Sequence, residues 1–313
     1  MGYVFGPVPS RRLGSSLGVD TVPPKTCNFS CIYCQLGRTT NFINERRDFY
    51  PRAEILREIE RKASKTEPDY ITFVGNGEPT LYKSLGWLIQ NTKREFSMPV
   101  AVITNGALLY KQEVRKELSE ADVVLPTLDA GCAKTFKKVN RPRKEIIFDK
   151  MLDGMVEFRD FYDGDIWMEF MAINGINDSR EELLKIRKAL ERIRPDRVYV
   201  NVPIRPPAEP WVEGSNNLKD VRAILGDVTE ITLPEQGDFR ISRSESIVEE
   251  LLGIMGRHPM RRDQIEEILG KRGRGWDVVE KLVKEGKVRE INYKGMSFFV
   301  LAGIRVGAKK RED

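Results

Sequence analysis

The chain has 313 residues, 40% hydrophobic and 32% charged, more than one small core needs and suited to a barrel-sized domain with a minor one. No apolar run approaches the ~20 residues that span a bilayer. The start, Met1-Gly2-Tyr3-Val4-Phe5-Gly6, also lacks the charged-then-apolar layout of a signal peptide, so a membrane span and secretion are excluded as expectations and a cytoplasmic protein is expected. The formal net charge is +5, and residues 241–313 hold 16 Lys/Arg against 12 Asp/Glu; this mild excess permits contact with nucleic acid and does not demand it.

Through residue 240 short apolar runs alternate with longer helical patterns. Strands are predicted at Leu17–Val22, Ile71–Asn76, Val100–Asn105, Val123–Leu128, Trp167–Ala172 and Arg197–Val202, with an edge strand at Glu230–Pro234. Most are β-branched and bounded by turn residues, as buried parallel strands are. Between them helices are predicted near 52–65, 81–95, 110–119, 144–161, 178–192 and 217–226. Six strand–helix units are short of a full eight-stranded barrel, so the fold class is α/β, an open, partial (β/α)6 barrel with its ligands at the C-terminal ends of the strands. After residue 240 the pattern changes. Helices over 245–255, capped by Ser244, 262–270 and 276–285 precede strands Val288–Ile291 and Met296–Leu301 with a turn at Tyr293-Lys294-Gly295. That order spells a small winged helix-turn-helix domain over 241–303, and 304–313 reads as a solvated tail.

Four cysteines do not make a disulfide framework, and three of them fall within "CNFSCIYC", residues 27–34. In a reducing compartment such a cluster is more often a metal site. A closed zinc site wants four tetrahedral ligands. The fourth cysteine, Cys132, lies about a hundred residues away and the single histidine, His258, lies in the other domain, so the spacing gives no reason for either to complete a site. Three thiolates on a cubane [4Fe–4S] cluster leave one iron open to a substrate or cofactor, and cluster potentials reach strongly reducing values.

Cys27, Cys31 and Cys34, with Tyr33 before the third, resemble the loop after strand one in the radical S-adenosylmethionine (radical SAM) superfamily. "GNGEP" (75–79) resembles the superfamily's glycine-rich motif after strand two, "ITNG" (103–106) the end of its strand three and "TLDA" (127–130) the end of its strand four. "GPVPSRRLGSSLGVD" (6–20), "CQLGRTTNF" (34–42), "FVGNGEPTLY" (73–82), "GINDS" (175–179) and "NVPIRPPAEPW" (201–211) are similar to the wyosine-synthase-like subgroup of radical SAM iron–sulfur oxidoreductases. The first two cysteines stand closer together than in true wyosine synthases, so that subgroup's substrate does not transfer with the label.

The resemblance implies that Cys27, Cys31 and Cys34 hold a [4Fe–4S] cluster whose open iron chelates S-adenosyl-L-methionine, which is reductively cleaved to a 5′-deoxyadenosyl radical that abstracts hydrogen from substrate. It implies cofactor contacts at Tyr33, Gly75, Asn76, Gly77, Glu78, Pro79, Thr104, Asn105, Thr127 and Asp129. Gly75 and Gly77 would let backbone approach the methionine ammonium where a Cβ would obstruct it, and Glu78 could accept from that ammonium. The plain alternatives are turn capping for the strand-end polar groups and loop packing for Tyr33. Arg11, Arg12, Asn174, Asn177, Asn201 and Arg205 could line the substrate side, Arg205 gripping a phosphate or carboxylate with its planar fork; ordinary surface ion pairing is the alternative for the arginines. No catalytic residue is assigned. Cys132, at the start of a predicted helix, is read as a structural thiol and His258 as a surface turn residue.

The expected activity is radical modification of a macromolecule, RNA or protein, docked by the winged helix. Alternatives are a glycyl-radical-enzyme activase and a non-catalytic iron–sulfur DNA-binding regulator, the last disfavoured because a regulator needs no S-adenosylmethionine pocket. A low-potential donor such as ferredoxin or flavodoxin and a monomeric state are expected. Every cofactor motif lies before residue 210, so the C-terminal domain is expected to be separable from cofactor handling.

Overall fold

The computed structural model describes residues 2–226, 229–231, 239–240 and 246–306. In chain order its elements are β1 (Val4–Ser10), β2 (Gly14–Val19), β3 (Thr26–Cys27), β4 (Asn41–Phe42), α1 (Arg52–Thr66), β5 (Tyr70–Phe73), α2 (Leu85–Glu95), β6 (Val100–Thr104), α3 (Gln112–Leu118), β7 (Val123–Pro126), α4 (Ala133–Val139), α5 (Phe148–Arg159), β8 (Asp165–Met171), α6 (Arg180–Ile193), β9 (Arg197–Asn201), α7 (Leu218–Leu225) and β10 (Thr229–Ile231). One sheet runs β1-β2-β5-β6-β7-β8-β9-β10. It is parallel from β2 onward, and only β1 runs antiparallel, against β2. Among the described residues the edges β1 and β10 do not pair with each other, in keeping with the open, partial barrel that the strand–helix repeats predict.

Alternation across the strands makes two apolar layers. Leu17, Ile71, Val102, Val124 and Val200 join the helices in the main core, while Leu13, Ala101, Leu125, Trp167 and Tyr199 cluster on the other face. Helix α1 buries Ile55, Leu56, Ile59 and Ala63, one stripe at three- and four-residue spacing. Helix α6 starts at Ser179, whose hydroxyl accepts from the Glu182 amide at 3.3 Å, the arrangement expected of an N-cap.

Strand β1 is an addition to the elements predicted from sequence. Its residues, "VFGPVPS", contain two prolines that donate no backbone hydrogen bond, which restricts it to a sheet edge. The last region, α8 (Ile247–Met255), β11 (Met260–Arg261), α9 (Arg262–Lys271), α10 (Asp277–Lys284), β12 (Val288–Tyr293) and β13 (Met296–Leu301), covers that edge: Phe5 and Val8 share a core with Ile247, Leu251, Met255 and Phe299. A covered edge has no free ladder to offer another chain. The β12–β13 hairpin turns at Lys294 and Gly295, both at positive φ, and β11 adds a third strand beside β13.

One expectation is corrected here. The tail is not solvated from residue 304: Ile304 and Val306 are buried against Leu36 of the cysteine loop. The C-terminal region also packs on the barrel side, sharing apolar clusters with both β1 and that loop. Ser244, most of the predicted edge strand beyond Ile231 and residues 307–313 lie outside the described residues. No helix among the described residues is long and apolar enough to cross a membrane.

Candidate active site

The parallel strands all end on one side, and the loop after β2 crosses that side. Its first cysteine ends β3, a two-residue strand paired with β4. Turns then carry the chain through Cys31 and Cys34, with the Cys34 amide donating to the Cys31 carbonyl at 3.1 Å and the Gly37 amide to that of Cys34 at 3.0 Å. The loop is pinned from outside. The Ile32 amide donates to the Val139 carbonyl and the Ile32 carbonyl accepts from the Glu209 amide, each at 3.0 Å. Buried Glu209 in turn accepts from Arg38 Nε at 2.8 Å and Arg141 Nη1 at 2.5 Å, and those contacts, Arg38 first, hold its carboxyl below the usual range.

Cys27, Cys31 and Cys34 border one cavity of about 250 Å³ with Tyr33, Gly75 and Gly77, and none is in a disulfide. Burial pushes the Cys27 thiol up to about 12, the Cys31 thiol well above its ordinary value, and Cys34 upward. Donors nonetheless point at sulfur. The Phe29 amide lies 3.3 Å from Cys27 Sγ, Asn105 Nδ2 lies 3.6 Å from the same atom, and Asn140 Nδ2 lies 3.6 Å from Cys31 Sγ. Among the described residues no three Cys, His, Asp or Glu side chains are grouped to hold a single metal ion. The shared cavity instead leaves room between the thiols for something larger.

The glycine motif forms the facing wall, and its glycines serve a purpose the motif alone does not reveal. A Cβ on Gly75 would collide with Asp20 Oδ1, and one on Gly77 with the Thr26 carbonyl oxygen. The space withheld belongs to the protein's own cysteine loop and to Asp20, not to a ligand. Asn76 is clasped by Asp20, its amide donating to Oδ1 at 2.8 Å and its Nδ2 to Oδ2 at 3.0 Å. Glu78 likewise has partners within the protein. It is 2% exposed, and its carboxylate accepts from Thr80 N (3.0 Å), Thr80 Oγ1 (2.6 Å), Thr104 Oγ1 (2.6 Å) and Asn105 N (2.7 Å). Oε1 takes three of these bonds and Oε2 one, and Glu78 is not among the residues that border the cavity, so it fastens the loops after β5 and β6 from behind the wall. Pro79 opens a one-turn 3-10 helix behind it.

Asp129 is also a fastener. It is 2% exposed and accepts from Tyr33 Oη (2.5 Å), Asn140 Nδ2 (2.6 Å) and Met171 N (2.8 Å); burial raises its carboxyl to about 6. Tyr33 therefore reaches the cavity wall held from behind. Thr127 lies in a parallel bridge to Glu169 and does not border the cavity.

The proposed substrate group divides. Arg11 and Arg205 border the cavity. Arg205 is already engaged, with Nε donating to the Pro259 carbonyl at 3.1 Å and Nη1 to Gln35 Oε1 at 3.2 Å. Arg12 pairs with Glu169 in a largely buried contact, and Asn201 Nδ2 lies 3.4 Å from the same carboxylate. Asn177 is withdrawn as a substrate ligand: its amide is consumed by the Asp129 and Met171 carbonyls and the Ile173 amide. Asn174 is exposed and outside the cavity lining. Cys132 occupies the N-cap position of α4 with its thiol toward Thr135 and Glu182 and is not among the residues that border the cavity. Residues that sequence reasoning missed are Asn28 and Asn140, which brace the cysteine loop through Asn105 and Asp129, and Asp20, Gln35 and Arg257. Asp20 and Gln35 stand inside quoted motifs; Arg257 carries no signal.

A family model described as the Radical SAM superfamily matches residues 21–186, more than half of the chain. The chain belongs to the radical SAM superfamily. It is 37% identical over 310 residues to a UPF0026 protein of Methanocaldococcus jannaschii, covering 96% of each chain. It is 42% identical over 294 residues to a protein of Brachyspira hyodysenteriae named GTPase Obg, covering 92% of this chain and 43% of that one, so it spans less than half of that relative. Its fold resembles that of a radical SAM methyltransferase from Sphaerobacter thermophilus, with TM-score 0.54 and 16% identity over 69% of this chain and 66% of that one. Radical SAM enzymes use a [4Fe–4S] cluster and S-adenosylmethionine and require a reductant, and this chain is an enzyme of that kind. Its donor set fits the cluster. The three thiols are partly buried and desolvation raises all of them, with the Lys25 charge opposing that only at Cys34; a cationic metal group relieves this by stabilising thiolates, and amides already aim at the sulfurs of Cys27 and Cys31.

Proposed function

We propose that Cys27, Cys31 and Cys34 bind the cluster, that S-adenosylmethionine lies in the same cavity against Tyr33 and the Gly75–Gly77 loop, and that the enzyme modifies a macromolecule by hydrogen abstraction. The observation that carries this reading is the meeting of three unpaired-by-disulfide thiols and the glycine loop in one cavity at the strand ends. When bound, the cluster supplies the electron for reductive cleavage of S-adenosylmethionine to methionine and a 5′-deoxyadenosyl radical. The protein's part is to bind, orient and exclude water. The donors to Cys27 and Cys31 favour thiolate; Asp129 and Asn140 fix Tyr33 and Cys31; Thr104 and Asn105, through Glu78, fix the turn that follows the glycine motif.

The macromolecular reading rests on the C-terminal region. Its three helices and hairpin have the order of a winged helix, and Tyr293 Oη and Lys294 Nζ lie 3.5 and 3.4 Å from the Pro203 carbonyl, at the cavity rim. A partner docked on that hairpin is therefore presented to the strand ends. A ferredoxin or flavodoxin is the proposed electron donor.

The test is anaerobic. Reconstituted, reduced protein is expected to release 5′-deoxyadenosine from S-adenosylmethionine, slowly without substrate. No release from protein with full iron content returns the chain to the regulator reading. An RNA partner would bind with a log–log salt slope of about 0.7–0.9 per phosphate contacted, whereas a protein partner would respond less.

A further inference from the structure

We infer that Arg257 is a positioning residue for the S-adenosylmethionine site: it acts through Asp20 on the Gly75–Gly77 loop, and the turn Arg257-His258-Pro259 ties that loop, the cysteine loop and the segment after β9 into one frame. This rests on the proposed placement of S-adenosylmethionine against that loop.

The guanidinium is fully committed to the barrel side of the seam and its own helix. Nε donates to Asp20 Oδ2 at 2.8 Å, Nη2 to the Gly2 carbonyl at 2.7 Å and Nη1 to the Gly253 carbonyl at 2.9 Å, and the group lies 4.9 Å from the Phe5 ring centroid. Both partners of the ion pair are 5% exposed. Asp20 passes the constraint onward by clasping Asn76 at two points and by filling the space beside Gly75. The Asn76 carbonyl accepts from the Lys25 amide at 2.5 Å, two residues before Cys27. A second line leaves the same turn. The Arg257 carbonyl accepts from Gln35 Nε2 at 3.2 Å, beside Cys34; Gln35 Oε1 accepts from Arg205, and Arg205 donates back to the Pro259 carbonyl.

A buried ion pair adds little net stability over well-packed apolar groups, but breaking one leaves a charge uncompensated. What the planar group supplies is orientation: held at the Gly2 and Gly253 carbonyls, it presents Nε to Asp20 Oδ2 in one direction, and Asp20 carries that direction to the backbone of the glycine loop. Burial raises the Asp20 carboxyl, and the Arg257 charge and the Asn76 bonds both oppose that rise, so the ion pair and the clasp favour the same ionised carboxylate.

The test uses the full chain. Arg257→Lys keeps the charge and loses the fork, Arg257→Ala loses both, and Ile268→Val, in the core of α9, controls for stability loss within the same region. Three quantities are read: iron per chain, amide exchange of the peptide spanning residues 74–78 in cluster-free protein, and the S-adenosylmethionine dissociation constant by anaerobic dialysis without reductant. In Arg257→Lys the expected result is unchanged iron, at least about tenfold faster exchange at Asn76 and at least about tenfold weaker S-adenosylmethionine binding, with Ile268→Val matching wild type in both. Wild-type exchange and wild-type binding in both Arg257 variants would overturn the inference and leave the pair a fastener between regions. If neither Arg257 variant folds, the same measurements are made on Asp20→Asn: faster exchange and weaker binding support the inference, and wild-type values overturn it. A wild-type protein that binds no S-adenosylmethionine would instead sink the proposed function, while exchange at Asn76 would still decide what Arg257 positions.

Discussion

The barrel and the C-terminal region bear on the cavity by different means: the barrel lines it, and the C-terminal region packs behind residues that do. The barrel supplies side chains that can touch a cofactor, and it holds them with partners drawn from successive strand ends: Glu78 with Thr104 and Asn105, Asp129 with Tyr33 and Asn140. The C-terminal region supplies no cofactor motif. It contributes closure, through apolar surface on β1 and on the cysteine loop and through one arginine that reaches the glycine loop at second hand. A region can thus pack against a site while leaving no chemistry-bearing residue in it. For that reason motifs alone make the two regions look separable.

The largest effect expected falls on the barrel side. Replacing Cys27, Cys31 or Cys34 by Ala should abolish the four irons of a cubane cluster and its brown absorption in anaerobically prepared protein. Full retention of iron by any one of these variants would remove that residue from the ligand set. The corresponding break on the C-terminal side is Phe5→Ala. Phe5 is buried, occupies the space that a side chain on Gly18 would need and underlies Arg257. Truncation should destabilise the chain by about 3–5 kcal/mol, as for other core Phe→Ala changes, with barrel and C-terminal signals lost together in urea. A barrel signal that persists after the C-terminal signal has gone would show that the two regions unfold independently.

What is legible in the sequence follows the same division. Six of the seven parallel strands, β2 and β5 to β9, are readable because each is an apolar run bounded by turn residues. The helices are readable from stripes such as Ile55, Ile59 and Ala63, and the ligand cavity from the short spacing of Cys27, Cys31 and Cys34. Strand β1 is not, because Gly6, Pro7 and Pro9 argue against a strand unless it is known to lie at an edge. The roles of Gly75 and Gly77 are half legible. The need for a missing Cβ is visible in one sequence, but which backbone or side chain comes close is set by Asp20 and Thr26, which only the fold brings there. Glu78 and Asn177 look like ligands because a polar residue at a strand end reads the same whether it faces a cofactor or a neighbouring turn. Arg257, 237 positions from Asp20, belongs to no motif at all, and long-range pairs of that kind are the part a single chain conceals.

The smallest effect expected is at Cys132, and it sharpens the comparison by testing whether the barrel hides a second metal site. Cys132 stands at the N-cap of α4 with its thiol 3.5 Å from Thr135 Oγ1 and 3.7 Å from Glu182 Oε2. Neither contact is one the neighbours depend on, since Glu182 keeps the Gly131 amide at 2.7 Å when the thiol is removed and no charge is left without a partner. Cys132→Ala should therefore hold its iron content and its S-adenosylmethionine cleavage at wild-type levels and shift stability by no more than about 1 kcal/mol. A fall in iron per chain in this variant, measured beside Cys31→Ala, would show that the fourth thiol ligates metal and that the barrel carries an auxiliary cluster on the α4 side.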